Sequence, residues 1–192
     1  MAGLYFEQFE AGQRFEHLVR RTVTETDNLL FSALTMNPAA LHLDAEYAKG
    51  TPYGQRVVNS VFTLGLLVGL TVYDTTYGTT LGNLGWEEVK FPRPVFIGDT
   101  LRAATTVISK RESQSRKDAG IVIFDQRLYN QRDEEVASCR RAALMMKKPA
   151  HGSSDRAGSD DRAVSKGIPS GDGPAHGSSA PPMGPSSSGS TT

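Results

Sequence analysis

The sequence predicts an α+β domain in which one antiparallel sheet curls around a single buried helix, followed by a tail that does not fold. Three observations carry this. The run "VFTLGLLVGLTVY", residues 61–73, is apolar nearly all round, so a helix there must be wrapped by protein on most sides. Strand-like segments surround it, one before and roughly four after, and one sheet folded over one such helix satisfies both patterns. From Pro149 onward Gly, Ser, Pro and Ala take over, and "PAHGSS" occurs at 149–154 and again at 174–179. Such a segment cannot bury enough apolar surface to offset its ordering entropy. The folded domain is therefore expected over 1–148 and disorder over 149–192.

The elements follow in order. The opening "MAGLYFEQFEAG" has acids and aromatics where a signal peptide would need a basic start and an apolar core. Gly12 to His17 leads into "LVRRTVTET", β-branched with period-two character, which reads as a strand with His17 as a surface residue at its start. Thr26-Asp27-Asn28 is expected to cap a short helix over "LLFSALT". Residues 35–48, "TMNPAALHLDAEYA", end in a helical turn with Asp44 as its cap, the alternative being that Asp44 supplies a carboxylate beside His42. Asn59-Ser60 caps the central helix, whose Gly65 and Gly69 are expected to let a sheet approach closely. Then come "LGWEEVKF" and "TLRAATTVISKRES", separated by the bend "PRPVFIGDT". "GIVIFDQRLYNQ" and "EEVASCRRAALMMKK" follow, joined by a hairpin turn at "NQRDEE".

Composition removes several function classes. Lys plus Arg and Asp plus Glu balance at 21 each, with 18 basic and 17 acidic residues before Pro149, so no basic stripe points to a nucleic acid. Cys139 is the one cysteine, which excludes an intrachain disulfide and a zinc–thiolate cluster. It lies in a strand-like run and reads as a packed residue, not a nucleophile. His151 and His176 sit in the tail without partner ligands and read as solvated; no metal site is expected. The most apolar run is too short to span a bilayer. An intracellular, cytoplasmic protein without a membrane or nucleic-acid partner is the expectation.

The segment around His42 carries the chemistry. Asn37 stands five residues before His42, where acid–base work would welcome a carboxylate. A lone loop histidine reads as structural without further signals; here the flanking motifs point the other way. "LHLDAEYA" after that spacing, "VVNS" at the start of the central helix, and above all "VKFPRPVFIGDTLRA" resemble the MaoC-like dehydratase/hydratase family. The resemblance spans about residues 5–147. The family segment Gly-Asp-x-Asn-Pro-(Ile/Leu)-His puts Met36 at the Gly and Asn37 at the Asp, and the family's His-Gly at the helix start is here Asn59-Ser60.

What the resemblance implies is a hotdog fold and hydration of an α,β-unsaturated acyl-CoA, with coenzyme A as part of the substrate and no separate cofactor. His42 would be the base, the Ser60 backbone N–H beside Asn59 would stabilise the enolate oxygen, and Asn37 would orient water. The Asn at the acid position, the Asn-Ser helix start and Asn83-Leu84-Gly85-Trp86 are similar to the branch that hydrates short branched dicarboxylic thioesters such as mesaconyl-CoA or itaconyl-CoA. Arg56 and Arg93 border the site and suit a free carboxylate. A homodimer or larger homo-oligomer is expected, since one such sheet leaves an edge open. Two alternatives stay in play. A hotdog thioesterase would place a carboxylate on the central helix, and residues 61–73 contain none. A non-catalytic acyl-CoA-binding protein would keep the signature without needing His42.

Overall fold

The computed structural model describes residues 3–149; the rest of the tail, with His151 and His176, lies outside the described residues. A 3-10 turn at Phe6–Gln8 precedes β1 (Arg14–Thr22), α1 (Glu25–Leu34), α2 (Ala40–Leu43), α3 (Ala45–Lys49) and α4 (Ser60–Thr75). Four strands follow: β2 (Thr80–Lys90), β3 (Thr100–Glu112), β4 (Ala119–Tyr129) and β5 (Glu135–Met146). They form one antiparallel sheet in the order β1-β3-β4-β5-β2.

This differs from a simple run of neighbouring strands. β2 pairs with β5 and not with β3, so the "PRPVFIGDT" bend is a crossing and not a hairpin. Its residues are held elsewhere: Val58 N–H donates to Val95 O at 2.8 Å, and Val57 bridges Phe96. The bend therefore closes over the start of α4. β1 and β2 are the sheet's two edges.

α4 begins where the sequence suggests. Asn59 is the cap, its Oδ1 accepting from Val61 N–H at 3.0 Å. Leu67, Leu70, Leu101, Ala103, Leu128, Ala137 and Cys139 bury together between this helix and the sheet. Beyond the helix C-terminus, Phe6 and Phe9 cover Val107, Val122, Phe124, Ala143 and Met145. Phe6 lies so close over Gly120 that a Cβ there would meet its ring at 2.3 Å.

Three sequence readings need correction. α1 starts at Glu25, because Thr24 and Asp27 form a reciprocal capping box: Thr24 Oγ1 accepts from Asp27 N–H and Asp27 Oδ2 from Thr24 N–H. That leaves Asn28 inside the helix. Gly65 and Gly69 do not face the sheet, since a Cβ on either would meet nothing within 4 Å. They lie instead on an exposed stripe with Val61 and Tyr73.

The third is His17, which is buried and not on the surface. A register shift between Glu16 and Arg20 lets this part of β1 leave the ladder. His17 Nδ1 lies 2.7 Å from Asp74 Oδ2 on α4, and Nε2 2.9 Å from Thr105 Oγ1 on β3. One ring thus fastens an edge strand to the helix and to the next strand. His17→Ala is expected to destabilise the fold by roughly 2–3 kcal/mol, through a cavity and an unpaired Thr105 hydroxyl. A urea unfolding curve with an unchanged midpoint would contradict this.

Candidate active site

His42 sits on α2, half-buried, in a turn that the chain reaches by a tight reversal after α1. Asn37 N–H donates to Ser32 O at 2.9 Å, and Asn37 Oδ1 accepts from Ala39 N–H at 3.1 Å. This is an Asx turn that launches α2. Met36, just before it, has φ of 53°. That left-handed conformation favours glycine, which is what the resembled motif has at this position.

The imidazole is held in one orientation. His42 Nδ1 is 2.8 Å from Val57 O, and a carbonyl can only accept, so Nδ1 carries the proton. Nε2 of the neutral ring is left with its lone pair. Val57 N–H returns a bond to Leu41 O at 3.2 Å, making the α2 contact reciprocal.

Behind this pair lies Asn28, fully buried on α1. Its Nδ2 donates to His42 O at 2.9 Å, and its Oδ1 accepts from Asn59 N–H at 2.9 Å. One amide therefore bridges the histidine turn and the cap of α4. Ser32, one helical turn further, places Oγ 3.5 Å from Asn59 Nδ2. Sequence reasoning took Asn28 for a cap and missed this role. The available signal was the pair Asn28 and Ser32, two polar residues at i, i+4 on one helix face.

At the α4 N-terminus Val61 N–H is taken by Asn59, while the Ser60 N–H has no acceptor among the described residues. Ser60 is exposed. A free N–H at the positive end of a 16-residue helix is suited to a developing oxyanion. Asn28 thus joins the His42 turn to the Asn59-Ser60 start of α4, and Asn37 opens the same turn.

The two arginines are otherwise engaged. Arg56 Nη2 pairs with Glu25 Oε1 at 2.5 Å, and Arg93 lies 3.7 Å from Glu134 while reaching Glu135 O at 3.4 Å. Asp44 caps α3, accepting from Glu46 and Tyr47 N–H, and does not stand in for an acid. Cys139 is buried, and burial pushes its thiol up to about 11, which leaves it a core residue.

Comparison with known proteins places this geometry in context. The model of the MaoC like domain matches residues 7–123. The mesaconyl-CoA hydratase of Cereibacter sphaeroides is 35% identical over 147 residues, covering 77% of this chain and 42% of that protein. The β-methylmalyl-CoA dehydratase of Chloroflexus aurantiacus is 30% identical over 146 residues, covering 76% and 41%. The chain thus spans less than half the length of these curated relatives. Among solved structures, a monoamine oxidase regulatory protein from Archaeoglobus fulgius superposes with a TM-score of 0.69 at 33% identity, covering 78% of this chain and 98% of that one.

Asn28→Asp tests the bridge at nearly constant shape. The new carboxylate still accepts from Asn59 N–H but faces His42 O with a lone pair in place of a donor. A loss of roughly 2–4 kcal/mol in chemical denaturation is expected for a buried, half-satisfied polar group. A loss below about 0.5 kcal/mol would mean the bridge contributes nothing.

Proposed function

Because the chain belongs to the MaoC-like domain family, we propose that it adds water across the double bond of an α,β-unsaturated acyl-CoA, and removes it in reverse. The architecture is the hotdog fold. The observation that carries the proposal is the His42–Val57 hydrogen bond, which leaves the Nε2 lone pair available on a turn that Asn28 ties to the cap of α4.

The chemistry needs three events. As water attacks the β-carbon, negative charge moves to the thioester oxygen; the Ser60 N–H and the α4 dipole receive it. His42 Nε2 takes the proton of the attacking water and afterwards returns a proton to the α-carbon. Asn37 has its Oδ1 occupied by Ala39 N–H, so its amide N–H groups are what it offers the water oxygen. A water held by that donor still has a hydrogen for His42.

The relatives named for mesaconyl-CoA and β-methylmalyl-CoA act on thioesters that bear a second carboxylate, and we extend that substrate class to this chain. Arg56 and Arg93 border the α4 start, but each would have to leave Glu25 or Glu134 to bind it.

A thioesterase reading is less well supported. Asp74 is the one carboxylate on α4, and it sits in the last turn bonded to His17, far along the helix from Ser60. Release of free thiol from a saturated acyl-CoA would favour that reading; loss of enone absorbance without thiol release favours hydration.

The protein is proposed to act as a homodimer. Val61, Gly65, Gly69 and Tyr73 form an exposed stripe along α4, and edge strand β2 exposes Leu81, Leu84, Trp86 and Val89. Light scattering on the full chain is expected to give twice the monomer mass; an active monomer would exclude this assembly.

His42→Ala is expected to lower hydration of mesaconyl-CoA or crotonyl-CoA at least roughly a hundredfold with the fold intact, the usual scale for losing a general base. Asn37→Ala should cost less, since it orients water without moving a proton. Near-parental turnover in His42→Ala would remove the histidine from the base role.

A further inference from the structure

Nine arginines of the described residues have a carboxylate within 4 Å: Arg14, Arg21, Arg56, Arg93, Arg102, Arg116, Arg127, Arg132 and Arg140. Arg20, Arg111 and Arg141 do not. The first two are exposed, and water solvates them. Arg141, on β5, is only 5% exposed. Its Nε donates to Asn83 Oδ1 on β2 at 2.9 Å, while Nη1 is buried with no partner among the described residues. Burial also draws its guanidinium down from the ordinary arginine range. A buried cation with one neutral acceptor is an incomplete arrangement, because desolvation is repaid only by an anion in good geometry. What is missing is a carboxylate.

Position says where the carboxylate comes from. Arg141 pairs across the sheet with Phe124 on one side and Trp86 on the other. Gln126, two residues along β4 from Phe124, donates to Thr71 Oγ1 at 2.8 Å. Arg141 is therefore level with the part of α4 at or just past Thr71, leaning toward edge strand β2. From Ser60 to Thr71 the helix rises about 16 Å, beyond the reach of a short acyl chain bound at Ser60.

The uncovered stripe resolves this. Val61, Gly65, Gly69 and Tyr73 are spaced symmetrically about Leu67, large–small–small–large. Two copies related by a twofold axis at that point run their α4 helices antiparallel, Gly65 against Gly69 and Val61 against Tyr73. Thr71 of one copy is then level along the axis with Thr63 of the other, about 4.5 Å of rise from Ser60, although both threonines point into their own domains.

We propose that Arg141 of one copy receives the distal carboxylate of a short dicarboxylic acyl thioester whose carbonyl is bound at Ser60 of the other copy. This rests on the hydratase site and the dimer proposed above, and adds to it the residue that selects the substrate. Nη2 is neither fully buried nor hydrogen-bonded among the described residues, and it is the nitrogen such a carboxylate can reach.

Binding separates this from the hydratase reading. Succinyl-CoA and butyryl-CoA have equal chain lengths and no double bond, and differ in the distal carboxylate. The parent protein should bind succinyl-CoA at least roughly tenfold more tightly, a modest value for a buried charged contact. Arg141→Met should abolish the preference while keeping affinity for butyryl-CoA. Its unliganded melting temperature should hold or rise, since an uncompensated buried charge has been replaced by an apolar chain. An unchanged preference overturns the proposal. So does a variant that dissociates or melts much earlier, because the guanidinium would then be paired with a carboxylate of the second copy.

Mixed dimers test the cross-subunit geometry. Chains carrying His42→Ala, co-refolded with chains carrying Arg141→Met, form hybrids with one intact site. About a quarter of parental mesaconyl-CoA turnover is expected from random pairing. No recovery overturns the assignment to the opposite copy. If the parent hydrates neither substrate, the hydratase reading fails, and the succinyl-CoA and butyryl-CoA comparison still decides the role of Arg141.

Discussion

Between Ser60 and Thr75 the chain places one charged residue, Asp74, and it stands in the last turn. A helix this apolar has no face to offer water, and covering it governs everything else in the domain. Each fully buried aliphatic side chain contributes about 1.5–3 kcal/mol, so exposing α4 would forfeit stability comparable to that of a whole small domain. The sheet answers with small residues where it passes beneath, Ala103, Ala137 and Cys139, and with Leu101 and Leu128 between them. The crossing from β2 to β3 closes the helix start through Val95. Even its one carboxylate is used to hold the sheet, through His17. One stripe stays uncovered, and a second copy of the chain is the simplest way to finish the burial.

The same covering creates a problem at the helix N-terminus. Backbone N–H groups there have no partner within the helix, and the positive end of the dipole must stay accessible if it is to serve a substrate. Asn59 takes one of these groups and leaves Ser60 free. Asn28 then ties the cap to the histidine turn, so the free donor and the imidazole are fixed relative to one another. The turn itself is under tension: a non-glycine residue in the left-handed region at Met36 costs about 1–2 kcal/mol. The Asx turn at Asn37, the two bonds between α2 and Val57, and the Asn28 bridge offset that strain. Rigidity around His42 is thus a product of several small polar contacts placed at helix ends.

What was legible in the sequence is what local chemistry decides. The apolar period of α4, the caps Asn59 and Asp44, and the alternation of β3 to β5 are each written within a few residues of where they act. The unread features all depend on distant partners. His17 turns inward only because β1 leaves register, and its two partners lie 57 and 88 residues away. Asn28 resembles a cap until residues 42 and 59 arrive beside it. β2 follows the helix in sequence yet pairs with the last strand, a choice that depends on which sheet edge is open. Gly65 and Gly69 suggest a close approach of the sheet, but they face away from it and nothing among the described residues lies against them. Arg141 was invisible for the same reason: nothing in "SCRRAAL" says which arginine points inward, and Arg140 beside it is exposed and paired with Glu88.

The amide at position 37 becomes intelligible in this setting. Its Oδ1 accepts from Ala39 N–H, a bond that an aspartate oxygen would make equally well, so the turn does not choose between the two. Charge does. On the proposed reading the site must hold a developing enolate and, for a dicarboxylic substrate, a second full negative charge a few ångströms away. An aspartate at position 37 would add a further negative charge to the site and repel that carboxylate. The amide keeps a donor for water and contributes no charge, leaving His42 as the single proton carrier. On that reading an uncharged amide at position 37 and an arginine without a carboxylate partner at 141 act in the same direction, each favouring a substrate that carries its own acid.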